Sequence, residues 1–177
     1  MVLVPPLPRK LLTLALIVRD GVGGQQVLLG LKKRGFGVGK WNGFGGKVEV
    51  SDASVVAAAA REVQEEANVT VRTEDLAPRG VLLFSFEQGK EVMRLTDAAG
   101  QEVHVFLTRQ FVGEPSESDE MKPQWFDASA IPFSNMWADD KLWLPHVLGD
   151  KSVQGHFRFA ADEDTLLDHE LEVTGHH

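Results

Sequence analysis

Gly46–Val69, GKVEVSDASVVAAAAREVQEEANV, is the stretch that decides the fold. An alanine-rich run leads into Arg61-Glu62-Val63-Gln64-Glu65-Glu66, and together they predict a helix from about Asp52 to Glu66. Asp52 or Ser51 is the expected N-cap, and Asn68 lies just past the end, where a left-handed residue closes a helix. On a helix, residues three and four apart share a face, so Glu62, Glu65 and Glu66 project together. Three carboxylates on one face repel one another unless a cation sits between them. Hard divalent cations such as Mg²⁺ take oxygen ligands and bridge carboxylates to substrate phosphates. A Gly45-Gly46-Lys47 turn precedes the helix and suits close approach of backbone to a ligand. The segment therefore reads as a metal-assisted phosphate site.

Composition narrows the partners. A chain of 177 residues favours one domain, Met1–His177, and is ample for a core. The net charge of −8 argues against a nucleic-acid polymer, which needs a basic footprint. An acidic protein that handles a polyphosphate needs a mediating cation. The absence of cysteine excludes disulfides, thiolate metal sites and cysteine nucleophiles. Residues 1–10, with Pro5, Pro6 and Pro8, are expected to form a flexible tail and lack the apolar core of a signal peptide. Leu11–Val18 is far too short to span a bilayer and reads as a buried strand. The expectation is a soluble monomer of the cytoplasm, with nuclear or mitochondrial pools as alternatives, and no membrane partner.

Leu11–Val18 and Gln25–Leu31, joined by the turn-rich Asp20–Gly24, predict a hairpin. Lys32–Gly45 is a glycine-dense loop, and a loop of that length is usually functional. Gly80–Phe86 and Val103–Phe111 read as strands, with Glu87–Glu102 as the tip between them, and Trp125-Phe126 as a further short strand. Asp139–Leu148 predicts a second helix, broken or bent by Pro145. Val153–Ala160 and Thr165–Val173 read as edge strands or a covering hairpin. Strands, helix, strands, helix suggest a mixed sheet flanked by helices. His104, His146, His156 and His169 form no ligand spacing with one another, and Gly175-His176-His177 is given no role.

The opening segment resembles the Nudix box, a glycine and a spaced Glu followed by Arg-Glu-aliphatic-x-Glu-Glu-x-Gly-aliphatic. Asp52 stands at the spaced Glu, one extra residue lies between it and Arg61, and Asn68 stands at the closing glycine. The extra residue is expected to be absorbed within Val50–Ala53, keeping the glutamate face in register with Gly45. Similarity continues outside the box, from about Leu11 to Val173. It is carried by Gly30–Gly37 (GLKKRGFG), Trp41–Val48 (WNGFGGKV), Glu117–Met121 (ESDEM), Ile131-Pro132-Phe133 and Met136–Asp140 (MWADD). These segments look like those of family members that hydrolyse oxidised purine nucleoside triphosphates. The resemblance implies an α/β fold, an α/β/α sandwich with a mixed sheet flanked by helices.

It also implies a site. The family's metal positions fall on Gly45, through its carbonyl, and on Glu62, Glu65, Glu66 and Glu120. The cation implied is Mg²⁺, with Mn²⁺ as a substitute. Arg61 beside these carboxylates would orient them. Glu66 and Glu120 are both candidates for the general base. A purine nucleoside triphosphate would be cleaved to monophosphate and pyrophosphate. Trp137-Ala138-Asp139-Asp140 would hold the base, with the indole as stacking platform and the carboxylates accepting from ring N–H and amino groups. Two adjacent carboxyls in a partly dry pocket are not expected to ionise together, so one can donate. Either aspartate could instead cap the following helix. Asn42 matches the family's base-contacting amide. Thr13, Lys32, Phe36, Phe44 and Phe84 match pocket positions, although Phe44 and Phe84 read equally well as core. Gly46 and Lys47 lie where phosphate would pass. Two other readings stand beside this one: a Nudix hydrolase for O6-methyl-dGTP, a dinucleotide or ADP-ribose, and a nucleotide-binding module that no longer catalyses.

Overall fold

The computed structural model describes residues 2, 4–5, 9–87 and 100–175. Its strands are β1 (Lys10–Gly21), β2 (Gly24–Lys32), β3 (Trp41–Asn42), β4 (Ala77–Phe86), β5 (Gln101–Thr108), β6 (Met121–Asp127), β7 (Ser152–Phe159) and β8 (Leu166–Thr174). Two α-helices, α1 (Val55–Ala67) and α2 (Asp140–Leu148), interrupt them. The sheet runs in the order β3-β2-β1-β5-β4-β7-β8, with β6 paired to β2. β1 is parallel to β5 and β4 is parallel to β7, while β1–β2, β4–β5 and β7–β8 are antiparallel. The sheet is therefore mixed, as expected, and the predicted β1–β2 hairpin forms. Of the expected tip at Glu87–Glu102, residues 88–99 lie outside those described.

Side-chain alternation along β1 builds two cores. Leu14, Leu16 and Val18 face one side and pack with Trp143, Leu144, Val147 and Leu148 of α2. Ala15 and Ile17 face the other and pack with Ala59, Val63 and Ala67 of α1. One helix thus covers each face, giving an α/β/α sandwich. The spacing of four between Ala59, Val63 and Ala67 is the helical period that lays a stripe of small residues on the sheet.

The feature that shapes the site is a seam. β1 and β2 pair only as far as Ile17 and Leu28. Beyond that point the chain from 41 to 48 is wedged between them. Trp41 and Asn42 pair with β2, while Phe44 exchanges backbone hydrogen bonds with Ala15. Thr13 N–H donates to the Gly46 carbonyl and Val48 N–H to that of Leu11. Gly45 is what lets the wedge fit: a Cβ there would lie 1.8 Å from the Thr13 carbonyl oxygen.

Two sequence expectations change. Helix α1 starts at Val55 rather than Asp52, and its N-cap is Ser54, whose side chain accepts from Ala57 N–H at 3.1 Å. Asp52 is unavailable as a cap because Arg61 and the Glu49 N–H already occupy its oxygens. The extra residue is absorbed before the helix, where Asp52 N–H closes a turn on the Glu49 carbonyl. Asn68 closes the helix in the left-handed conformation, φ 59°, as its position suggested. Helix α2, in contrast, runs unbroken through Pro145 to Leu148. Of the proline-rich start, Val2 is buried and its N–H donates to Glu170.

Ser54→Ala should lower the unfolding free energy by about 1 kcal/mol, the usual cost of a lost N-cap. Urea titration checks this, and an unchanged midpoint would show that the cap lies elsewhere.

Candidate active site

A cavity of about 280 Å³ opens over the seam. At one end Gly45, Gly46 and Glu66 line it, and at the other Trp137, Asp139 and Asp140. Thr13, Lys32, Phe36, Asn42 and Phe84 line it between them. The size is just below the usual range for small-molecule sites, and the lining is largely apolar with a few convergent polar groups.

The carboxylates of α1 do not all face this cavity. Each residue turns the helix by about 100°, so Glu62, Glu65 and Glu66 fan out. Glu66 points inward at 4% exposure and accepts from Gly45 N–H at 2.8 Å. The Glu65 side chain is 56% exposed and turned towards solvent. Glu62 lies between, packed against Gly46, where a Cβ would stand 2.7 Å from its Oε1. Arg61 ties the fan together: Nε and Nη2 bond the two Asp52 oxygens at 2.9 and 3.0 Å, and Nη1 bonds Glu62 and Glu65, each at 3.1 Å. This guanidinium holds the Asp52 carboxyl below its ordinary pKa. Burial raises Glu62 and pushes Glu66 up to about 7; for Glu66 the Gly45 N–H opposes the rise, and the charges of Glu62 and Glu120 add to it.

Glu120 has cationic partners of its own. Lys32 Nζ binds it at 3.1 Å and Arg34 Nε at 2.8 Å, and these bonds lower its pKa. Among the described residues no group of three or more acidic or histidine side chains is assembled as a metal cage. The donor chemistry nevertheless fits a hard cation. A buried Glu66 beside Glu62, each with a raised pKa, is an all-oxygen pair whose repulsion a divalent ion relieves. Glu62, Glu66 and the Gly45 carbonyl can hold such an ion. Glu65 and Glu120 join only by exchanging their present partners, Arg61, Lys32 and Arg34.

The other end of the cavity is an acid pair under an aromatic wall. Asp139 and Asp140 are each 3% exposed. Trp143 Nε1 donates to Asp139 Oδ2 at 2.8 Å, so that carboxylate does not cap the helix. Asp140 Oδ2 is buried without a protein partner. Burial raises both pKa values, and for Asp140 the neighbouring Asp139 raises it further. Two adjacent buried carboxyls titrate as a pair, and burial favours the form that retains a proton. Trp137 stacks on Phe36 with centroids 4.9 Å apart. Asn42 uses its oxygen to accept from Gly43 N–H and remains on the cavity wall.

Three expected lining residues fall elsewhere. Phe44 is fully buried in the α1 core, because its bridge to Ala15 sends the ring to that face. Lys47 is exposed, and its carbonyl accepts from Arg61. Ala138 packs on the α2-side core rather than lining the cavity. The structure adds Lys40, Phe86, Gln101 and Phe159 to the lining. Phe86 and Phe159 stack on one another, an arrangement their strand alternation permits but only the β4–β7 pairing reveals.

Gly46→Ala should push the Glu62 carboxylate aside, since the added Cβ meets only the end of that flexible side chain. Turnover should drop at least about tenfold while the melting temperature barely moves; loss of both together would mean the fold itself failed. Asp140→Asn tests the acid pair. Below the unfolded carboxyl pKa of about 4 both states are protonated and the substitution should be neutral. As pH rises the unfolded chain ionises first, so wild-type stability falls through the raised pKa of Asp140. The variant should therefore gain stability over wild type with increasing pH, and a pH-independent difference in urea midpoints would contradict the assignment.

The NUDIX domain model matches residues 9–147. Oxidized purine nucleoside triphosphate hydrolase from Danio rerio is 48% identical over 163 residues, covering 92% of this chain and 94% of the relative. The protein of that name from Mus musculus is 43% identical over 162 residues, again 92% and 94%. Among solved structures, a mutator MutT protein from Bacillus halodurans superposes with a TM-score of 0.75 at 28% identity, covering 92% of this chain and 97% of that one. With the box helix, the glycine seam and this coverage together, the chain belongs to the Nudix family of hydrolases.

Proposed function

We propose that this Nudix hydrolase cleaves oxidised purine nucleoside triphosphates, such as 8-oxo-dGTP and 2-hydroxy-dATP, to monophosphate and pyrophosphate, with Mg²⁺ as its cation and Mn²⁺ as a substitute. The observation that carries the reading is a single cavity running from the buried Glu66 and the Gly45 turn to the buried Asp139–Asp140 pair beneath Trp137. Its chemistry suits a nucleotide, with phosphates at the first end and the base at the second. The names and extensive similarity of the two relatives support the same substrate class. A net charge of −8 supports action on free nucleotides rather than on polymers.

When bound, the divalent cation neutralises the polyphosphate and acidifies water beside it. Glu62, Glu66 and the Gly45 carbonyl would hold it, with Glu65 and Glu120 completing the set. Lys32 lines the cavity and carries positive charge to the phosphate chain. Glu66, which lines the cavity, and Glu120, which is bound to Lys32 and Arg34, are the two candidates for the base that takes the proton from water. Trp137, stacked on Phe36 and with Lys40 over its ring, forms the aromatic wall against which the purine would bind. Asp139 accepts from ring or amino N–H groups, and Asp140, when protonated, donates to a ring nitrogen or accepts once ionised. That versatility suits a pocket that takes both oxidised guanine and oxidised adenine.

The non-catalytic alternative rested on Asp52 and the extra residue. Asp52 keeps the ion pair with Arg61, and Glu66 keeps its register with Gly45, so neither departure disturbs the site. The remaining choice is among nucleotides. Pyrophosphate release with Mg²⁺ from 8-oxo-dGTP, 2-hydroxy-dATP, O6-methyl-dGTP, dGTP and ADP-ribose decides it. The two oxidised nucleotides should lead, and a preference for ADP-ribose would overturn the proposal. Glu66→Gln should cut turnover by at least roughly a hundredfold with the fold intact.

A further inference from the structure

Lys40 belongs to no motif, yet the structure fixes it at the cavity. Its backbone closes the neck of the glycine-rich loop: Lys40 N–H donates to the Gly37 carbonyl, and Lys32 N–H donates to the Lys40 carbonyl, both at 3.0 Å. Its side chain lines the cavity with Nζ 5.0 Å from the Trp137 ring centroid. Asp164, in the turn between β7 and β8, accepts from Nζ at 2.8 Å. That turn is itself fixed, because Asp162 Oδ1 accepts from the N–H groups of both Asp164 and Thr165 at 2.9 Å. An ammonium is thus held over the indole, in the cavity that the acid pair also lines.

The other groups around the pair are accounted for. On α2, Trp143 donates to Asp139, and Lys141 is exposed. From β2, Lys32 is bound to Glu120, and from α1, Glu66 is bound to Gly45 N–H. The Lys40 charge lowers the Asp140 pKa, opposing the larger effects of burial and of Asp139. A nearby cation favours the ionised form of a carboxyl.

Resting on the function proposed above, we propose that Lys40, anchored by Asp164, is a specificity-determining residue that tilts the Asp139–Asp140 pair towards accepting hydrogen bonds and thereby favours guanine-type over adenine-type bases. The chemistry follows from the base edges. A guanine edge presents N1–H and the 2-amino group side by side and asks for two acceptors. An adenine edge presents the N1 acceptor beside the 6-amino donor and asks for one donor and one acceptor, which a pair holding a proton supplies. Lys40 opposes retention of that proton.

The test compares 8-oxo-dGTP with 8-oxo-dATP, which share the added oxygen and differ at the edge read by the pair. Lys40→Met keeps the apolar stem and removes the charge. The ratio of kcat/KM for the guanine over the adenine nucleotide should fall roughly three- to tenfold, and Lys40→Arg should hold it within about twofold. In the free enzyme, ¹³C-carboxyl NMR should show the pair losing its proton about half to one pH unit higher in Lys40→Met. An unchanged ratio, an unchanged titration, or an arginine variant that behaves like methionine would each overturn the inference. If the wild type hydrolyses neither nucleotide, the proposed substrate class fails, and the NMR titration still decides whether Lys40 governs the pair.

Discussion

The hydrogen bond from Gly45 N–H to Glu66 Oε1, 2.8 Å long, ties together parts of the chain that must meet for the site to exist. It joins helix α1 to the wedge that fills the gap between β1 and β2. The wedge can enter because Gly45 has no side chain to strike the Thr13 carbonyl. With that segment seated, Asn42 lines the cavity and Phe44 fills the α1 core. Glu66 is thereby buried where its charge is costly unless something positive joins it. The same contact that completes the fold also prepares a carboxylate for a cation.

The two ends of the cavity solve a similar electrostatic problem differently. At the α1 end, carboxylates crowd together and are balanced by Arg61 below and by Lys32 and Arg34 around Glu120. At the α2 end, burial raises the pKa of two adjacent aspartates, and Asp139 accepts an indole N–H. Charge at the first end is suited to metal and phosphate; the protonation choice at the second is suited to reading a base. Buried carboxyls of this kind lower stability at neutral pH, and such local cost is common where function needs it. The apolar cores against α1 and α2 offset it.

The box helix, the β1–β2 hairpin and the glutamates were legible because their signals are local: helical spacing, turn residues and clustered charge. The cap position was not, since Asp52 and Ser54 are both good caps and only the tertiary pairing of Asp52 with Arg61 decides between them. Phe44 was unreadable for a related reason. Its side is set by the bridge to Ala15 across the seam, which no periodicity within residues 41–48 records. Lys40 and Phe159 entered the cavity wall through contacts distant in sequence, the lysine to Asp164 and the ring, by strand pairing, to Phe86. Glu62, Glu65 and Glu66 were correctly grouped on one helix, but a spread of about 100° between neighbouring residues was enough to send Glu65 outward.

The central claim is that one cavity holds the phosphates against α1 and the base against α2. A crystal structure with Mg²⁺ and 8-oxo-dGMP tests it most directly. The metal should lie beside Glu62 and Glu66, and the purine against Trp137 with its N–H edge on Asp139 and Asp140. A base bound away from that pair, or a metal that leaves Glu66 untouched, would contradict it.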